Sequence, residues 1–578
     1  MKNKILVYNY VQYLISFLFF TFICFYFRTN NLSDYFLCLM FYVPYFIIFR
    51  KNNNLKEIII AILIWVISVK FIEPLNFKIE EASSQLCRLI VHVTYYTVLL
   101  YSVKFIFKVI NNYNSVFYKR WVKITFIYFL INFVILLLIW PGNYVWDEKS
   151  IFWCAQRFIY SGWQSYLSVL LYSWSLLLIP YVVGIQVVQI TIISLIVGYI
   201  LSKIFDIYQS KKIIFVLLVL LSFPPILMNN MYPLRHAIYT YVELLLLSKI
   251  FFMKKEDAKI KINDLYIMSF CIIILSFWRT EGLYYLLLGP LAIIYIFKKY
   301  FNTELLLKMI FSLILFLVMY MPFNILNKKN PSNYVLTSVI NPLSIMFQEK
   351  LNISETEYNR LNSVINIELL KKYPSYTECP SFWKGVVLPN YNIHMKSFII
   401  SYAKLVLKNP VSFLNARSKT FLATTGLDKN VVANSPWDMY ENLNEINDYE
   451  IKNMVNNDKL SKPFNINFRN KVMKFFKGVQ YNSYTYKWLG RIIWNFIPML
   501  IIMVVLCIYY FIKKEYSYFY IIFLPLIKAC LVFCTAPATY FFYYFSIYLI
   551  GILIIGIVIY NFFNNCYTHY TQKISKEI

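Results

Sequence analysis

Two adjacent carboxylates, Asp147 and Glu148, end the segment WPGNYVWDE at residues 140–148, which follows a long apolar run. A carboxylate in such a loop could remove the proton from an acceptor hydroxyl, or hold a divalent cation against a phosphate. An ordinary pair of solvated acidic residues is the alternative interpretation. We take Asp147 and Glu148 as candidate catalytic residues and, if a divalent cation is required, as its candidate ligands. The sequence indicates no other metal or cofactor site.

A second group of polar residues, WRTEG at residues 278–282, separates two apolar segments. The planar guanidinium of Arg279 could bind a lipid phosphate through two hydrogen bonds, and Glu281 could orient it. The alternative is a tight turn in which Arg279 extends its charge to the lipid head groups. Both interpretations place this turn at the membrane boundary.

A third group, NNMYPLRH at residues 229–236, contains Arg235 and His236, which are candidates for binding a lipid phosphate. Glu243 follows inside the next apolar segment, seven residues and about 10 Å beyond His236 on the same helix face. An ionisable residue within a membrane span is a functional candidate by default. Glu243 could instead form a buried structural pair with Lys528. For Lys528 itself we favour a side chain that reaches the interface, with contact to an anionic lipid donor as the alternative.

The composition places these residues in a membrane protein. Of the 578 residues, 60% are hydrophobic, 20% are aromatic and only 15% are charged, which excludes an ordinary soluble domain. Apolar runs of bilayer-spanning length recur from residues 7–27 to residues 540–563. Because a lipid-exposed backbone must satisfy its own hydrogen bonds, we expect almost every segment to be helical. The expected fold class is therefore an all-α polytopic membrane protein.

The net charge of +28 comes mainly from lysines in short loops between the apolar runs. This pattern follows the positive-inside rule and argues against nucleic acid as a partner. Alternating the loops predicts about fourteen transmembrane helices, with both termini in the cytoplasm and the candidate residues on the opposite side. That count treats residues 166–181 as an interfacial or re-entrant helix and residues 184–201 as the crossing that follows it.

One large hydrophilic segment interrupts the apolar runs. It includes amphipathic stretches such as residues 398–407, and the following Asn409-Pro410 pair is typical of an N-cap with proline at the first helical position. We expect this segment to form a mostly helical extracytoplasmic domain. The predicted organisation is accessory N-terminal helices (residues 1–120), a transmembrane core with a first catalytic loop at 141–164 (residues 121–323), the extracytoplasmic domain (residues 324–490) and C-terminal transmembrane helices (residues 491–578).

The cysteines lie mainly within the apolar runs, as Cys24 and Cys38 do. No Cys-x-x-Cys pair occurs anywhere in the sequence. Neither a disulfide framework nor a zinc site is therefore indicated.

The order of these features resembles an uncharacterised family of bacterial polytopic proteins related to the GT-C glycosyltransferases and the dolichyl-phosphate-mannose protein mannosyltransferases. The resemblance extends over most of the chain beyond the first four apolar runs. The similar stretches are a first catalytic loop at residues 141–147 and 162–167, an arginine-containing turn at residues 279–282, an outer-domain stretch at residues 407–416 and a late Ala-Pro turn at residues 536–540.

The resemblance implies a GT-C-like fold that transfers a sugar from a polyprenyl-phosphate donor to a glycan, lipid or protein acceptor of the cell envelope. The reaction would take place on the extracytoplasmic face of a bacterial inner membrane, with the donor's tail among the membrane lipids. Asp147 would be the general base. Arg279, together with Arg235 and Lys528, would neutralise the departing phosphate.

Two other classes of function are consistent with the same residues. An envelope-polysaccharide polymerase or ligase would also need a large outer segment and arginines that meet an anionic lipid carrier. A transporter or flippase for a lipid-linked saccharide would need many helices and intramembrane charges such as Glu243 and Lys528. Against transport, the sequence shows no internal two-fold repeat and no matched pair of broken helices.

Overall fold

The chain is a polytopic helical membrane protein. The computed structural model describes residues 2–27, 32–49, 54–79, 84–160, 164–328, 333–427, 440, 459–477, 479–480, 483–484 and 489–577. Within these ranges the secondary structure is helical, apart from an antiparallel pair of two-residue strands, Val479–Gln480 and Ser483–Tyr484, and an isolated antiparallel bridge between Ile365 and Val387.

The helices are numbered here in chain order. Those before the hydrophilic segment are α1 (Lys2–Tyr26), α2 (Leu32–Phe49), α3 (Leu55–Ile67), α4 (Glu73–Asn76), α5 (Gln85–Asn111), α6 (Val116–Leu138), α7 (Trp146–Gln156), α8 (Tyr166–Leu178), α9 (Val182–Tyr208), α10 (Lys211–Leu221), α11 (Pro224–Asn230), α12 (Arg235–Lys255), α13 (Ile262–Trp278), α14 (Tyr285–Ile296) and α15 (Thr303–Lys328). The later ones are α16 (Thr337–Met346), α17 (Glu355–Asn362), α18 (Ile367–Lys372), α19 (Pro380–Trp383), α20 (Tyr391–Lys408), α21 (Pro410–Thr424), α22 (Ile466–Lys477), α23 (Ile497–Ile512), α24 (Tyr516–Thr535) and α25 (Phe545–Glu577).

Nine helices of the described part are long and apolar enough to cross a membrane. A tenth results if α10 and α11 count as one span, whose two parts meet at an angle of 68°. The bend coincides with Pro224 and Pro225, which cannot donate the backbone hydrogen bonds that a straight helix needs. One of the nine is formed by α3 and α4 together; the other eight are α5, α6, α9, α12, α15, α23, α24 and α25.

Within the described residues, five further helices contain shorter apolar stretches of 10–17 residues, and α8 is one of them. The helix expected at residues 166–181 is therefore present as a separate element, and its side chains are mostly buried among its neighbours. The crossing expected at residues 184–201 lies within the longer α9, which continues to Tyr208.

Residues 333–427, which we call the cap, have a hydrophobic core of their own. The amphipathic stretch 398–407 lies within α20, and Pro410 is the first residue of α21, as predicted. The Asn409 side chain, however, does not cap α21. Its Nδ2 donates to the carbonyl oxygen of Asn352 at 3.0 Å, and thereby fixes the loop before α17 instead.

Two buried arginines connect elements at the end of the bundle that the cap covers, which we call the capped end. Arg417 of α21 donates to the carbonyl oxygens of Phe533 at 2.6 Å and Ala536 at 3.0 Å, at the end of α24. Arg469 of α22 donates to the carbonyl oxygen of Ile139 at 3.1 Å, at the end of α6. The last carbonyls of a helix lack partners within the helix, so these arginines satisfy groups that would otherwise be unpaired.

The N-terminal helices contact the segment that follows α7. Buried Glu73 accepts a hydrogen bond from Nε of Arg88 at 2.8 Å and lies 3.4 Å from Nε2 of His92. The Arg88 guanidinium also lies over the Phe158 ring, and Phe77 stacks on the same ring with centroids 4.6 Å apart. Since Phe158 lies two residues beyond the end of α7, the N-terminal helices support the helix that carries Asp147.

Candidate functional site

The two carboxylates of the predicted catalytic loop lie in the first turn of α7. Oε2 of Glu148 accepts a hydrogen bond from the backbone amide of Val145 at 3.1 Å. This contact satisfies one of the amide groups that a helix N-terminus leaves open. Because the Glu148 side chain is fully buried, the geometry supports a structural role for it, and the predicted catalytic role of Glu148 gains no support.

Asp147 has a different environment, although it is the adjacent residue. Its side chain is partly exposed, and its Oδ2 lies 3.5 Å from Nε2 of Gln164. Although its side chain keeps some exposure, the surrounding protein removes most of the water around this carboxyl, and this desolvation raises the pKa of Asp147 to about 6 against the attraction of the Arg235 charge. The phenol groups of Tyr334 and Tyr540 lie near enough to interact with this carboxylate electrostatically. A carboxylate that titrates near neutral pH is suited to accept a proton from a hydroxyl group.

Arg279 and Glu281 form an ion pair in the turn between α13 and α14, as the sequence suggested. Arg279 is only 7% exposed, so the alternative in which it extends into the lipid head groups is wrong. Its guanidinium lies 5.9 Å from the centroid of the Tyr239 ring and 5.8 Å from that of Tyr543. Ring faces attract a cation and hold its plane in place, so Arg279 is fixed before any ligand binds.

Arg235 begins α12 and donates to the carbonyl oxygen of Trp278 at 3.4 Å. Its charge interacts with Arg279, Glu281 and Asp147. Two guanidinium groups and two carboxylates, which come from three separate parts of the sequence, therefore meet at the capped end. We call Asp147, Arg235, Arg279 and Glu281 the charged cluster.

A buried ion pair lies in the helices next to the charged cluster. Nζ of Lys528 is 3.0 Å from Oε2 of Glu243 and donates to Oγ of Ser546 at 2.6 Å. The hydroxyl of Tyr285 donates to the other Glu243 oxygen at 2.7 Å. Lys528 is 4% exposed, so the expectation that it reaches the interface is wrong, and the alternative pairing with Glu243 is correct. Packing between helices outweighs snorkelling here because a buried carboxylate needs a partner.

Nζ of Lys528 also lies 4.2 Å from the centroid of the Tyr239 ring, the same ring that Arg279 approaches. Tyr239 thus joins the buried pair to the charged cluster. His236 lies at the side of this arrangement. Its Nε2 is hydrogen-bonded to Oδ1 of Asn229 at 3.0 Å, and its ring stacks on Phe542. These contacts are structural, and the predicted phosphate contact of His236 stays a prediction.

Comparison of this chain with protein-family models, curated proteins and solved structures finds no match. The resemblance to GT-C glycosyltransferases therefore stays a prediction.

The described residues at this site do not provide a set of ligands for the predicted divalent cation. Among the described residues, no group of three or more His, Cys, Asp or Glu side chains lies close enough together to hold a metal ion. Glu148 is directed to the backbone of its own helix, whereas Asp147 faces Arg235. We therefore derive no chemical step through a metal.

The cap contains an open cleft of about 530 Å³. One wall, residues 374–377, is fixed from two sides. Thr420 of α21 donates to the carbonyl oxygen of Tyr376 at 3.0 Å, and the backbone amide of Thr539 donates to the carbonyl oxygen of Thr377 at 3.0 Å. Since Thr539 immediately precedes Tyr540, this wall leads toward Asp147. The cleft is lined by Ile345, Gln348, Glu349, Pro374, Ser375, Tyr376, Thr377 and Lys419.

The aromatic residues around the charged cluster were not singled out by sequence reasoning. Tyr239, Tyr334 and Tyr543 contact or face the arginines and Asp147. The chain contains 52 tyrosines, so residue type alone could not distinguish these three. Of the predicted catalytic-loop stretch at residues 162–167, Gly162 and Trp163 lie outside the described residues.

Proposed function

We propose that this protein is a membrane glycosyltransferase that moves a sugar from a polyprenyl-phosphate donor to an acceptor of the cell envelope. The observation that carries the proposal is the charged cluster: Asp147, a carboxylate with a raised pKa, interacts with Arg235, and Arg235 interacts in turn with the Arg279 and Glu281 ion pair at the edge of the helix bundle. A carboxylate and fixed cations are what this transfer requires, since a hydroxyl must lose a proton while a phosphate gains charge.

In the proposed reaction Asp147 takes the proton from an acceptor hydroxyl. The acceptor oxygen forms a bond to the anomeric carbon of the donor sugar as the bond from that carbon to the phosphate oxygen breaks. The phosphate leaves with a further negative charge, which Arg279 and Arg235 stabilise. Removal of a single fixed hydrogen-bond donor of this kind lowers the rate by roughly 100- to 1,000-fold in other enzymes.

The proposed membrane topology places this chemistry outside the cytoplasm of a bacterial cell. Counting α1, α2, α13, α14 and the bent pair α10 and α11 with the nine long helices gives fourteen crossings and brings both termini to one side. The basic loops then lie in the cytoplasm. The cap, the charged cluster and the turn after α24 lie together on the opposite side.

The buried pair supports the cluster in this proposal. Glu243 neutralises Lys528 within the bundle, and the Tyr239 ring lies against both Lys528 and Arg279. Lys528 therefore acts as a positioning residue for Arg279 and does not itself bind the donor phosphate. This replaces the phosphate-binding role that the sequence suggested for Lys528.

The cap cleft is the proposed entry for the acceptor. Its volume of about 530 Å³ lies in the range of small-molecule sites, roughly 300–1,000 Å³. Hydroxyl, amide, carboxylate and ammonium groups line it, together with the ring of Tyr376. Such a lining suits a saccharide chain, whose hydroxyl groups alternate with apolar ring faces.

The decisive assay measures transfer by the purified protein in lipid nanodiscs, with a panel of polyprenyl-phosphate sugars as donors. Asp147→Asn should lower the release of sugar by about 100- to 10,000-fold. Arg279→Lys should retain binding but lower turnover, because lysine keeps the charge without the planar fork. The matched control is Glu355→Gln, which removes an exposed carboxylate of the cap and should leave turnover unchanged. If the Asp147→Asn variant turned over at the wild-type rate, Asp147 could not be the general base.

A transporter or flippase for a lipid-linked saccharide is the second candidate, and one observation favours it. The span formed by α10 and α11 is bent by 68°, and broken helices are common at the binding sites of transporters. Movement of a fluorescent polyprenyl-phosphate sugar across liposomes without sugar release would support transport. Sugar release with addition to a growing glycan would instead indicate the polymerase or ligase form of the transferase chemistry.

A further inference from the structure

Cys24 of α1 and Cys38 of α2 face each other in the N-terminal helices. Their Sγ atoms are 2.7 Å apart. Non-bonded heavy atoms are most stable at about 3.5–4 Å, whereas bonded sulfurs in a disulfide are about 2.05 Å apart. Two thiols at the observed separation repel each other, and a small movement of either side chain would bring them to bonding distance.

The neighbouring contacts hold both sulfurs in this position. Sγ of Cys38 lies 3.5 Å from the carbonyl oxygen of Phe20, and Sγ of Cys24 lies 3.6 Å from that of Asp34. Both side chains are buried, with Cys24 at 0% and Cys38 at 3% exposure. Neither cysteine can therefore turn away without disturbing the packing of α1 against α2.

We propose that Cys24 and Cys38 form a disulfide bond that links α1 to α2. Cys24 is two residues before the end of α1, and Cys38 is six residues after the start of α2, so both lie near the end at which residues 28–31 connect the two helices. At a rise of about 1.5 Å per residue, these positions are roughly 3 Å and 9 Å from their helix ends. In the proposed topology these ends of α1 and α2 lie on the oxidising side of the membrane, where disulfides persist.

The bond forms by thiol–disulfide exchange with an external protein disulfide. The thiolate of one cysteine attacks that disulfide and forms a mixed disulfide, and the second cysteine then displaces the external sulfur. Two protons and two electrons leave the cysteine pair, and the external disulfide is reduced to two thiols. Since both cysteines lie near the helix ends, exchange takes place before α1 and α2 pack together.

The test is mass spectrometry of the full-length protein isolated from bacterial membranes under acidic, alkylating conditions that prevent exchange. After denaturation in N-ethylmaleimide without reductant, the peptides that contain Cys24 and Cys38 should appear as one linked species, two hydrogen atoms lighter than the pair of thiol peptides. Cys271, a buried cysteine of α13, should be fully alkylated and serves as the internal control. Full alkylation of Cys24 and Cys38 would overturn the proposal.

A second measurement does not depend on peptide recovery. Reductant should lower the thermal midpoint of the wild-type protein, since it releases the link between the helices, but should leave the Cys24→Ser, Cys38→Ser double variant unchanged. An equal response of both proteins to reductant would contradict a bond between these residues. Neither measurement uses a glycosyl donor, so the result is independent of the proposed transferase activity.

Discussion

Replacing Asp147 by asparagine should have opposite effects on activity and on stability. As the proposed base, Asp147 must be ionised, so kcat/KM of the wild type should fall as the pH decreases through about 6, the pKa to which burial raises this carboxyl. Asparagine cannot accept the proton, and loss of a general base typically lowers the rate by about 100- to 10,000-fold. The variant should therefore show only residual transfer at every pH.

The stability effect follows from the same pKa. The rise from 3.8 to about 6 is a shift of about two pH units, and at about 1.4 kcal/mol per unit the ionised carboxylate destabilises the native protein by about 3 kcal/mol. Because the native pKa is raised, the native state binds more protons than the unfolded state between these values. The corresponding stability is fully present below about pH 4 and is lost as the pH rises through about 6. The asparagine side chain of the variant stays neutral at every pH, so the variant does not lose this stability as the pH rises.

The assay compares thermal midpoints of wild type and Asp147→Asn in the same nanodiscs at acidic and at mildly alkaline pH, beside transfer assays on the same samples. The variant should melt at a higher temperature than the wild type above pH 7, and the difference should shrink toward pH 4. Glu355→Gln, which removes an exposed carboxylate, should change neither quantity. A variant that is inactive and also less stable above pH 7 would refute the reasoning, since Asp147 would then be a structural residue.

Two further substitutions test the surroundings of the charged cluster. Lys528→Met should destabilise the protein by about 3–5 kcal/mol, because it leaves the Glu243 carboxylate buried without its cation. Adding Glu243→Gln should restore most of the lost stability. Equal thermal midpoints of the single and double variants would contradict the Lys528 and Glu243 ion pair. Gly282→Ala would place a methyl group against the carbonyl oxygen of Leu275 and the hydroxyl of Tyr239. It should therefore lower the stability by about 1–3 kcal/mol and also lower turnover. Unchanged stability and turnover would show that the turn between α13 and α14 can move to make room.

The charged cluster could be predicted from the sequence only in part. Asp147, Arg279 and Arg235 were each recognised because a charged residue at the end of an apolar run is uncommon and needs a reason. The Arg279 and Glu281 pair was also foreseen, since two residues in one turn are necessarily close. The different environments of Asp147 and Glu148 could not be predicted, because adjacent residues of a helix point in different directions and only the neighbouring elements decide what each side chain meets.

For the same reason, the sequence could not predict the position of the Lys528 side chain. Its position near the end of an apolar run allowed either an extended side chain or a pair with Glu243, and the two residues are 285 positions apart. Likewise, His92 has no acidic neighbour at helical spacing, but Glu73 approaches it from the preceding helix. Contacts of this kind depend on which helices are adjacent, and hydropathy carries no information about adjacency.

By itself the sequence determined that this chain is a polytopic helical membrane protein. That conclusion depends on hydropathy and backbone hydrogen bonding, which are properties of each segment considered alone. Only the tertiary structure decided that Asp147 meets Arg235, that Lys528 is directed inward to Glu243, and that the wall of the cap cleft is bound to the turn at Thr539. These outcomes depend on the packing of segments that are distant in the sequence, where the cost of leaving a charge unpaired in the bundle selects the partner.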